Sequence, residues 1–144
     1  MRFNSILVVC IGNICRSPTA ERLLMQALPQ KTISSAGILA MVGQSADASA
    51  EAIALQHGLS LEGHIARQLT RELCQQHDLI LVMEQKHIDA VTRIAPEVRG
   101  KTMLYGHWIK RDIPDPYRQS REAFEFTYDL LADATQAWAQ RLKK

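Results

Sequence analysis

The sequence predicts an α/β domain built on a mostly parallel β-sheet. Short runs rich in Val, Ile and Leu lie at 6–9, 78–83 and 102–105, with a weaker run at 32–35. Unbroken apolar runs of this length are typical of strands buried on both faces of a parallel sheet. Between them lie segments whose apolar residues recur at helical spacing. Strands that alternate with helices favour a parallel sheet joined by right-handed crossovers.

Helices are predicted between and after these strands. The first includes Pro18, which suits the first turn of a helix, and it ends before Pro29. The second has Asp47 as a predicted N-terminal cap and Gly58 as its stop. The remaining predicted helices cover 70–74, 84–94 and about 120 to the C-terminus.

Length and composition indicate an ordinary globular protein. A chain of 144 residues can bury a sizeable core, and we expect one domain over 1–144. The net charge is only +2 and the cations are scattered, so no nucleic-acid partner is predicted. No apolar run approaches the roughly 20 residues of a membrane helix, so no membrane insertion is expected.

The N-terminus and the cysteines bear on location and cofactors. The first strand is predicted to begin within a few residues of Met1, which leaves no room for a signal peptide, so we expect a cytoplasmic protein. Three cysteines, Cys10, Cys15 and Cys74, do not indicate a disulfide framework. The five histidines are dispersed without zinc-ligand spacing, and no metal or organic cofactor is predicted.

Residues 10–17, Cys-Ile-Gly-Asn-Ile-Cys-Arg-Ser, join the first predicted strand to the first helix and are called the phosphate loop below. A helix N-terminus gathers backbone N–H groups and positive charge, which favour the thiolate of Cys10. Five residues separate Cys10 from Arg16, whose planar guanidinium suits bidentate binding of a phosphate-like anion. A nucleophile and an anion-binding loop in one segment predict phosphoryl transfer to cysteine.

Residues 10–18 resemble the signature of the low-molecular-weight protein tyrosine phosphatases, Cys-x-Gly-Asn-x-Cys-Arg-Ser-Pro. A second mark of this family is Asp-Pro-Tyr at 115–117, and similarity at Ser35 and 64–68 extends the resemblance over nearly the whole chain. The resemblance implies a flavodoxin-like (phosphotyrosine phosphatase I-like) fold, with a four-stranded parallel sheet and helices on both faces.

The resemblance implies roles for three residues. Cys10 is the implied nucleophile, which forms a phosphocysteine intermediate, and Arg16 binds phosphate oxygens and stabilises the transition state. Asp115 is the implied general acid, and then the base that activates water. By residue pattern alone, an Asp between two prolines is more typical of a turn.

The rest of the phosphate loop consists of Ile11, Gly12, Asn13, Ile14, Cys15 and Ser17. Gly12 and Asn13 are expected to let the loop curl, because both tolerate positive φ. Ser17 is expected to donate its hydroxyl to Cys10, to cap the helix, or to do both. Cys15 either forms a reversible disulfide with Cys10 under oxidants or simply fits a tight space.

Supporting residues and pocket walls also follow from the resemblance. Ser35 and His64 are implied to hold Asn13, although an exposed loop histidine is the alternative for His64. Tyr117 is expected to form one wall of the pocket.

The opposite wall in many family members is an aromatic residue in the loop after the second strand. Residues 37–43 carry no aromatic, so we expect Leu39 or Met41 to take that place, unless these side chains pack inward. This departure resembles a bacterial subgroup whose members often act on tyrosine autokinases that control exopolysaccharide export. A phosphotyrosine protein of this kind is the implied partner, and a monomer or weak homo-oligomer is the expected state.

Three other functions are consistent with parts of the pattern. Arsenate reduction uses a related loop but relays oxidation along further cysteines, and only Cys74 lies outside the loop. Protein-arginine phosphatases place Thr where this chain has Ile14. A non-catalytic phosphate-binding module needs no equivalent of Asp115.

Overall fold

Four parallel strands form the sheet in the computed structural model, which describes residues 3–143. They are β1 (Ser5–Cys10), β2 (Thr32–Gly37), β3 (Leu79–Val82) and β4 (Thr102–Leu104), and they lie in the order β2-β1-β3-β4. The four-stranded parallel sheet is therefore confirmed. The predictions that concern Met1, Arg2 and Lys144 fall outside the described residues.

Five α-helices connect and follow the strands in the described part of the chain. They are α1 (Arg16–Ala27), α2 (Ala48–Gln56), α3 (Arg71–Gln75), α4 (Gln85–Ile94) and α5 (Arg121–Leu142). A 3₁₀ helix at Pro96–Lys101, which the sequence analysis did not predict, leads into β4. Within residues 3–143, no helix is both long and apolar enough to cross a membrane.

Polar caps explain where several helices begin. Asp47 accepts hydrogen bonds from backbone N–H groups at the start of α2, as predicted, and Ser120 does the same for α5. Gly58 has a φ of +74° just beyond α2, a conformation that favours glycine and ends the helix.

The start of α1 differs from one prediction. Cys15 occupies the N-cap position and makes no side-chain cap, while Ser17 lies inside the first turn. The expectation that Ser17 caps this helix is therefore wrong. Its hydroxyl is engaged with other side chains, which are described below, and is not free for a cap.

Two apolar layers cover the two faces of the sheet. On one face, α1 and α5 pack against β1 and β3 through side chains such as Leu24, Leu131 and Trp138. On the other face, α3 and α4 supply Cys74 and Val91. The predicted helices on both faces are confirmed, and Cys74 is a core residue.

The topology brings several loops to one edge of the sheet. The phosphate loop leaves the carboxyl end of β1, which is flanked by β2 and β3, and ligands of α/β proteins bind at such an edge. Gly37 ends β2 beside this loop, and a Cβ there would lie 2.5 Å from the carbonyl oxygen of Ile11. Only glycine allows the two chain segments to approach so closely.

Candidate active site

The phosphate loop curls at Asn13, whose φ is 59°. This left-handed conformation is one that Asn tolerates better than most residues. Gly12 has no positive φ, so that part of the expectation is wrong. A Cβ at Gly12 would lie 3.6 Å from Met41 Cγ, an ordinary contact.

Asn13 is fully buried and all of its polar side-chain atoms are paired. Its Nδ2 donates to Ser17 Oγ (2.7 Å) and to Ser35 Oγ (3.0 Å), and its Oδ1 accepts from the Arg67 backbone N–H (3.0 Å). Nε2 of His64 lies 2.6 Å from the Asn13 carbonyl oxygen, so this ring nitrogen carries the proton. His64 is 6% exposed and is therefore not an exposed loop histidine.

These bonds fix the direction in which the Ser17 hydroxyl points. Because Ser17 Oγ accepts from Asn13, its own proton is free to be donated elsewhere. Cys10 Sγ lies 2.9 Å away and is the available acceptor. The network therefore directs an O–H group at the sulfur.

Glu21 and Arg67 contact the residues that hold Asn13. Ser35 Oγ donates to Glu21 Oε1 at 2.7 Å, and its carbonyl accepts from Arg67 Nε at 2.9 Å. Glu21 Oε1 also lies 3.9 Å from His64 Nδ1. The sequence analysis missed Glu21; its position four residues after Ser17, one helical turn along α1, was the available signal.

Arg16 is only 2% exposed, and one edge of its guanidinium is held by the protein. Nη1 donates to Glu84 Oε2 at 2.7 Å and to the Ile113 carbonyl at 2.8 Å. Nη2 lies 3.7 Å from Asp115 Oδ2, toward the cleft. With Nη1 occupied by two acceptors, the remaining N–H groups are available to an anion above the loop.

Glu84 is the most important residue that the sequence analysis missed. It follows β3, the neighbour of β1, so its place at the carboxyl edge of the sheet was the signal available. Burial opposes ionisation of Glu84, but the hydrogen bond and charge of Arg16 lower its pKa below the ordinary value. A carboxylate that remains ionised neutralises part of the buried guanidinium charge.

Residues 112–117, called the acid loop, carry Asp115 to the mouth of the cleft. The Ile113 N–H donates to the Met83 carbonyl at 2.8 Å, which ties this loop to the end of β3. Asp115 Oδ1 accepts from the Tyr117 N–H at 3.0 Å, while the side chain remains 45% exposed. Asp115 thus makes the turn that its pattern indicated and also faces Arg16.

A cleft of about 140 Å³ lies above the phosphate loop. Leu39, Met41 and Tyr117 line it together with Ile14 and the side chains of the phosphate and acid loops. Leu39 is 74% exposed, so it does not pack inward.

Cys15 also lines the cleft, and its surroundings disfavour ionisation of its thiol. Burial, reinforced by the nearby negative charge of Asp47, raises the pKa of the Cys15 thiol far above its ordinary value. Cys15 therefore remains a thiol, which is a poor nucleophile. Within residues 3–143, no group of three His, Cys, Asp or Glu side chains is placed to hold a metal ion.

Comparisons with known proteins agree with this geometry. The family model for low molecular weight phosphotyrosine protein phosphatase matches residues 5–144. The probable low molecular weight protein-tyrosine-phosphatase AmsI of Erwinia amylovora is 61% identical over 142 residues, which covers 98% of this chain and 99% of the relative. The low molecular weight protein-tyrosine-phosphatase Wzb of Salmonella typhimurium is 58% identical and covers 97% of this chain and 95% of its own.

A solved structure extends the likeness to three dimensions. Vibrio vulnificus Wzb in complex with benzylphosphonate is 57% identical and superposes with a TM-score of 0.96, over 97% of this chain and 99% of that chain. The flavodoxin-like fold that the resemblance implied is therefore confirmed, and the chain belongs to the low-molecular-weight phosphotyrosine protein phosphatase family.

Proposed function

We propose that this protein hydrolyses phosphotyrosine in a protein substrate through a phosphocysteine intermediate. The observation that carries the proposal is the convergence of two distant loops on one cleft, which Cys10, Arg16 and Asp115 all line. Ser17, at 2.9 Å from Cys10 Sγ, supports a thiolate, and buried Arg16 supplies the positive charge for a phosphoryl group.

In the first step, the Cys10 thiolate attacks phosphorus in line with the phenolic oxygen. The S–P bond forms, the P–O bond breaks, and protonated Asp115 transfers its proton to the departing tyrosine oxygen. Arg16 binds two of the equatorial oxygens through the N–H groups that Glu84 and Ile113 do not occupy.

In the second step, Asp115, now ionised, accepts a proton from a water molecule that attacks phosphorus. The S–P bond breaks, inorganic phosphate is released, and Cys10 leaves as a thiolate. The Ser17 hydroxyl stabilises that thiolate, so the same hydrogen bond assists both the attack and the departure.

The walls of the cleft support an aryl substrate. Leu39, Met41 and Tyr117 offer apolar and aromatic surface for a tyrosine ring. Ile14 also lines the cleft and presents no polar group to a guanidinium, which disfavours phosphoarginine.

We infer that the substrate is a bacterial tyrosine autokinase that controls exopolysaccharide production. The resemblance of the chain to the bacterial subgroup supports this partner, and a cytoplasmic location suits it. Removal of the protein from its host should raise the phosphotyrosine content of that kinase. An unchanged phosphotyrosine level would count against the partner while leaving the reaction itself in place.

Hydrolysis of phosphotyrosine, phosphoserine and phosphoarginine peptides with EDTA present tests the reaction. We expect phosphate release from phosphotyrosine alone, and Cys10→Ser to reduce it by roughly a thousandfold or more while still binding phosphate. Cys74→Ser is a matched control, because Cys74 is buried in the core away from the cleft.

Two outcomes would contradict the proposal. Release chiefly from phosphoarginine would overturn the argument from Ile14. Retained turnover in Cys10→Ser would overturn the assignment of the nucleophile.

A further inference from the structure

His87 is buried beneath the site and has no hydrogen-bond partner in the described part of the chain. It lies in the first turn of α4, is 1% exposed, and both of its ring nitrogens are unpaired. An unpaired polar group in the interior is costly, so such a residue calls for an explanation. Glu84 is a charged neighbour, and its Oε2 lies 3.7 Å from His87 Nε2.

Glu84 is in contact with Arg16 on one side and solvent on the other. Its Oε2 accepts from Arg16 Nη1 at 2.7 Å, while its Oε1 lies 3.6 Å from the exposed Nζ of Lys86. Although Glu84 is the N-cap of α4, its side chain makes no cap hydrogen bond. No backbone N–H of the helix therefore holds the carboxylate, and His87 Nε2 lies 3.7 Å from the oxygen that Arg16 uses.

The protonation state of the His87 ring determines how the ring interacts with the Glu84 carboxylate. The charged groups that face it are Arg16 from α1, Glu84 and Lys86 from the start of α4, and Asp112 from the acid loop. Burial, reinforced by Arg16, lowers the pKa of His87 to about 4, so the ring is uncharged at neutral pH. A neutral ring does not compete with Arg16 for the carboxylate charge.

The tautomer follows from the same geometry. An unprotonated nitrogen placed against a carboxylate oxygen would bring two lone pairs together, whereas an N–H group there is attracted to it. We propose that His87, as the neutral Nε2–H tautomer, is a positioning residue that keeps the Glu84 carboxylate on Nη1 of Arg16. The other edge of the guanidinium thereby stays oriented toward the phosphoryl group, so this inference rests on the proposed function.

A double-mutant cycle tests whether His87 acts through Glu84. We expect His87→Ala to weaken binding of inorganic phosphate, measured by calorimetry, by about tenfold, with a comparable loss in kcat/KM for a phosphotyrosine peptide. In a Glu84→Gln background the same substitution should cost less than about twofold. His87→Gln, whose amide N–H can face Glu84, should remain within about threefold of wild type.

His77→Ala is the matched control, because His77 is also a buried histidine but its Nδ1 bonds to the Leu73 carbonyl. We expect it to lower stability and leave phosphate binding unchanged. Phosphate binding by folded His87→Ala within about twofold of wild type, or an equal loss in the Glu84→Gln background, would overturn the proposal.

Nitrogen-15 NMR of the wild-type ring keeps the proposal testable if His87→Ala does not fold. We expect a neutral His87 with its proton on Nε2 at neutral pH, and a proton on Nδ1 would overturn the proposal. Phosphate binding and the tautomer can be measured even if no peptide is cleaved. A failure of the proposed function would therefore be distinguishable from a failure of this inference.

Discussion

Four polar side chains that hold the phosphate loop are buried and hydrogen-bonded, whereas the mouth of the same cleft is formed by side chains that solvent reaches. The floor consists of Asn13, Ser17, Ser35 and His64, each no more than 6% exposed and each hydrogen-bonded. The rim consists of Leu39, Met41, Asp115 and Tyr117, with Leu39 74% exposed and the Asp115 side chain 45% exposed.

The contrast predicts that substitutions in the two regions have different effects on stability and activity. Floor residues act on the sulfur and on the loop backbone, so their substitution should alter both stability and chemistry. Leu39 and Asp115 are the more exposed residues of the rim, so their substitution should alter the reaction or the choice of substrate while stability is preserved. The predictions below test this division in order of decreasing effect on activity.

The largest effect expected at the rim is that of Asp115→Asn. We expect kcat for a phosphotyrosine peptide to fall by about 10²- to 10⁴-fold, because the phenolic oxygen would leave without a proton. An aryl phosphate with an activated leaving group should lose much less, and the melting temperature should hardly change. Equal losses of kcat on both substrates would contradict the acid role of Asp115. A large loss of stability would contradict the prediction that substitutions at the rim leave stability unchanged.

Asn13→Ala should affect both stability and activity. The substitution removes bonds to Ser17, Ser35 and the Arg67 backbone, and it places alanine at a φ of 59°. We expect the free energy of unfolding to fall by about 2–4 kcal/mol and kcat to fall roughly tenfold, measured by denaturant unfolding and steady-state kinetics.

Asn13→Gly separates the two causes of that loss. Glycine accepts the positive φ but makes none of the side-chain bonds, so it should recover about 1–2 kcal/mol of stability without recovering kcat. Recovery of kcat by glycine would mean that the backbone conformation, and not the orientation of Ser17, matters for the chemistry.

Leu39→Ala should have the smallest effect. We expect KM for a phosphotyrosine peptide to rise about twofold to threefold and the free energy of unfolding to stay within about 0.5 kcal/mol of wild type. Val42→Ala is the matched control, because Val42 is also exposed but is not part of the cleft lining. Identical kinetics for the two variants would show that Leu39 does not contact the substrate.

The sequence predicted the sheet and the phosphate loop well because both depend on local patterns. Apolar runs located all four strands, and Cys10 and Arg16 lie at the end of β1 and the start of α1, where the pattern placed the loop between them. Asp47 was predicted as a cap because capping involves only neighbouring residues.

Contacts between distant segments were not predictable in the same way. Glu84 reaches Arg16 because β3 lies beside β1, and Ser35 lies beneath the loop because it pairs in register with Val8. Neither strand order nor register is specified by a local motif. The choice between the two roles of Ser17 was open for the same reason, since its partner Asn13 is itself held by Ser35.

The support of Arg16 by residues from the second half of the chain has a consequence for how the enzyme gains activity during folding. Cys10, Asn13 and Ser35 all lie between the start of β1 and the end of β2, but the acceptors for Arg16 Nη1 are Glu84, after β3, and Ile113, after β4. A chain folded only through β2 would hold the thiol and an arginine with no fixed orientation. Contacts between residues far apart in sequence carry a larger loop-closure cost. Regained phosphatase activity in a refolding reaction therefore reports completion of the whole sheet and not formation of its first half.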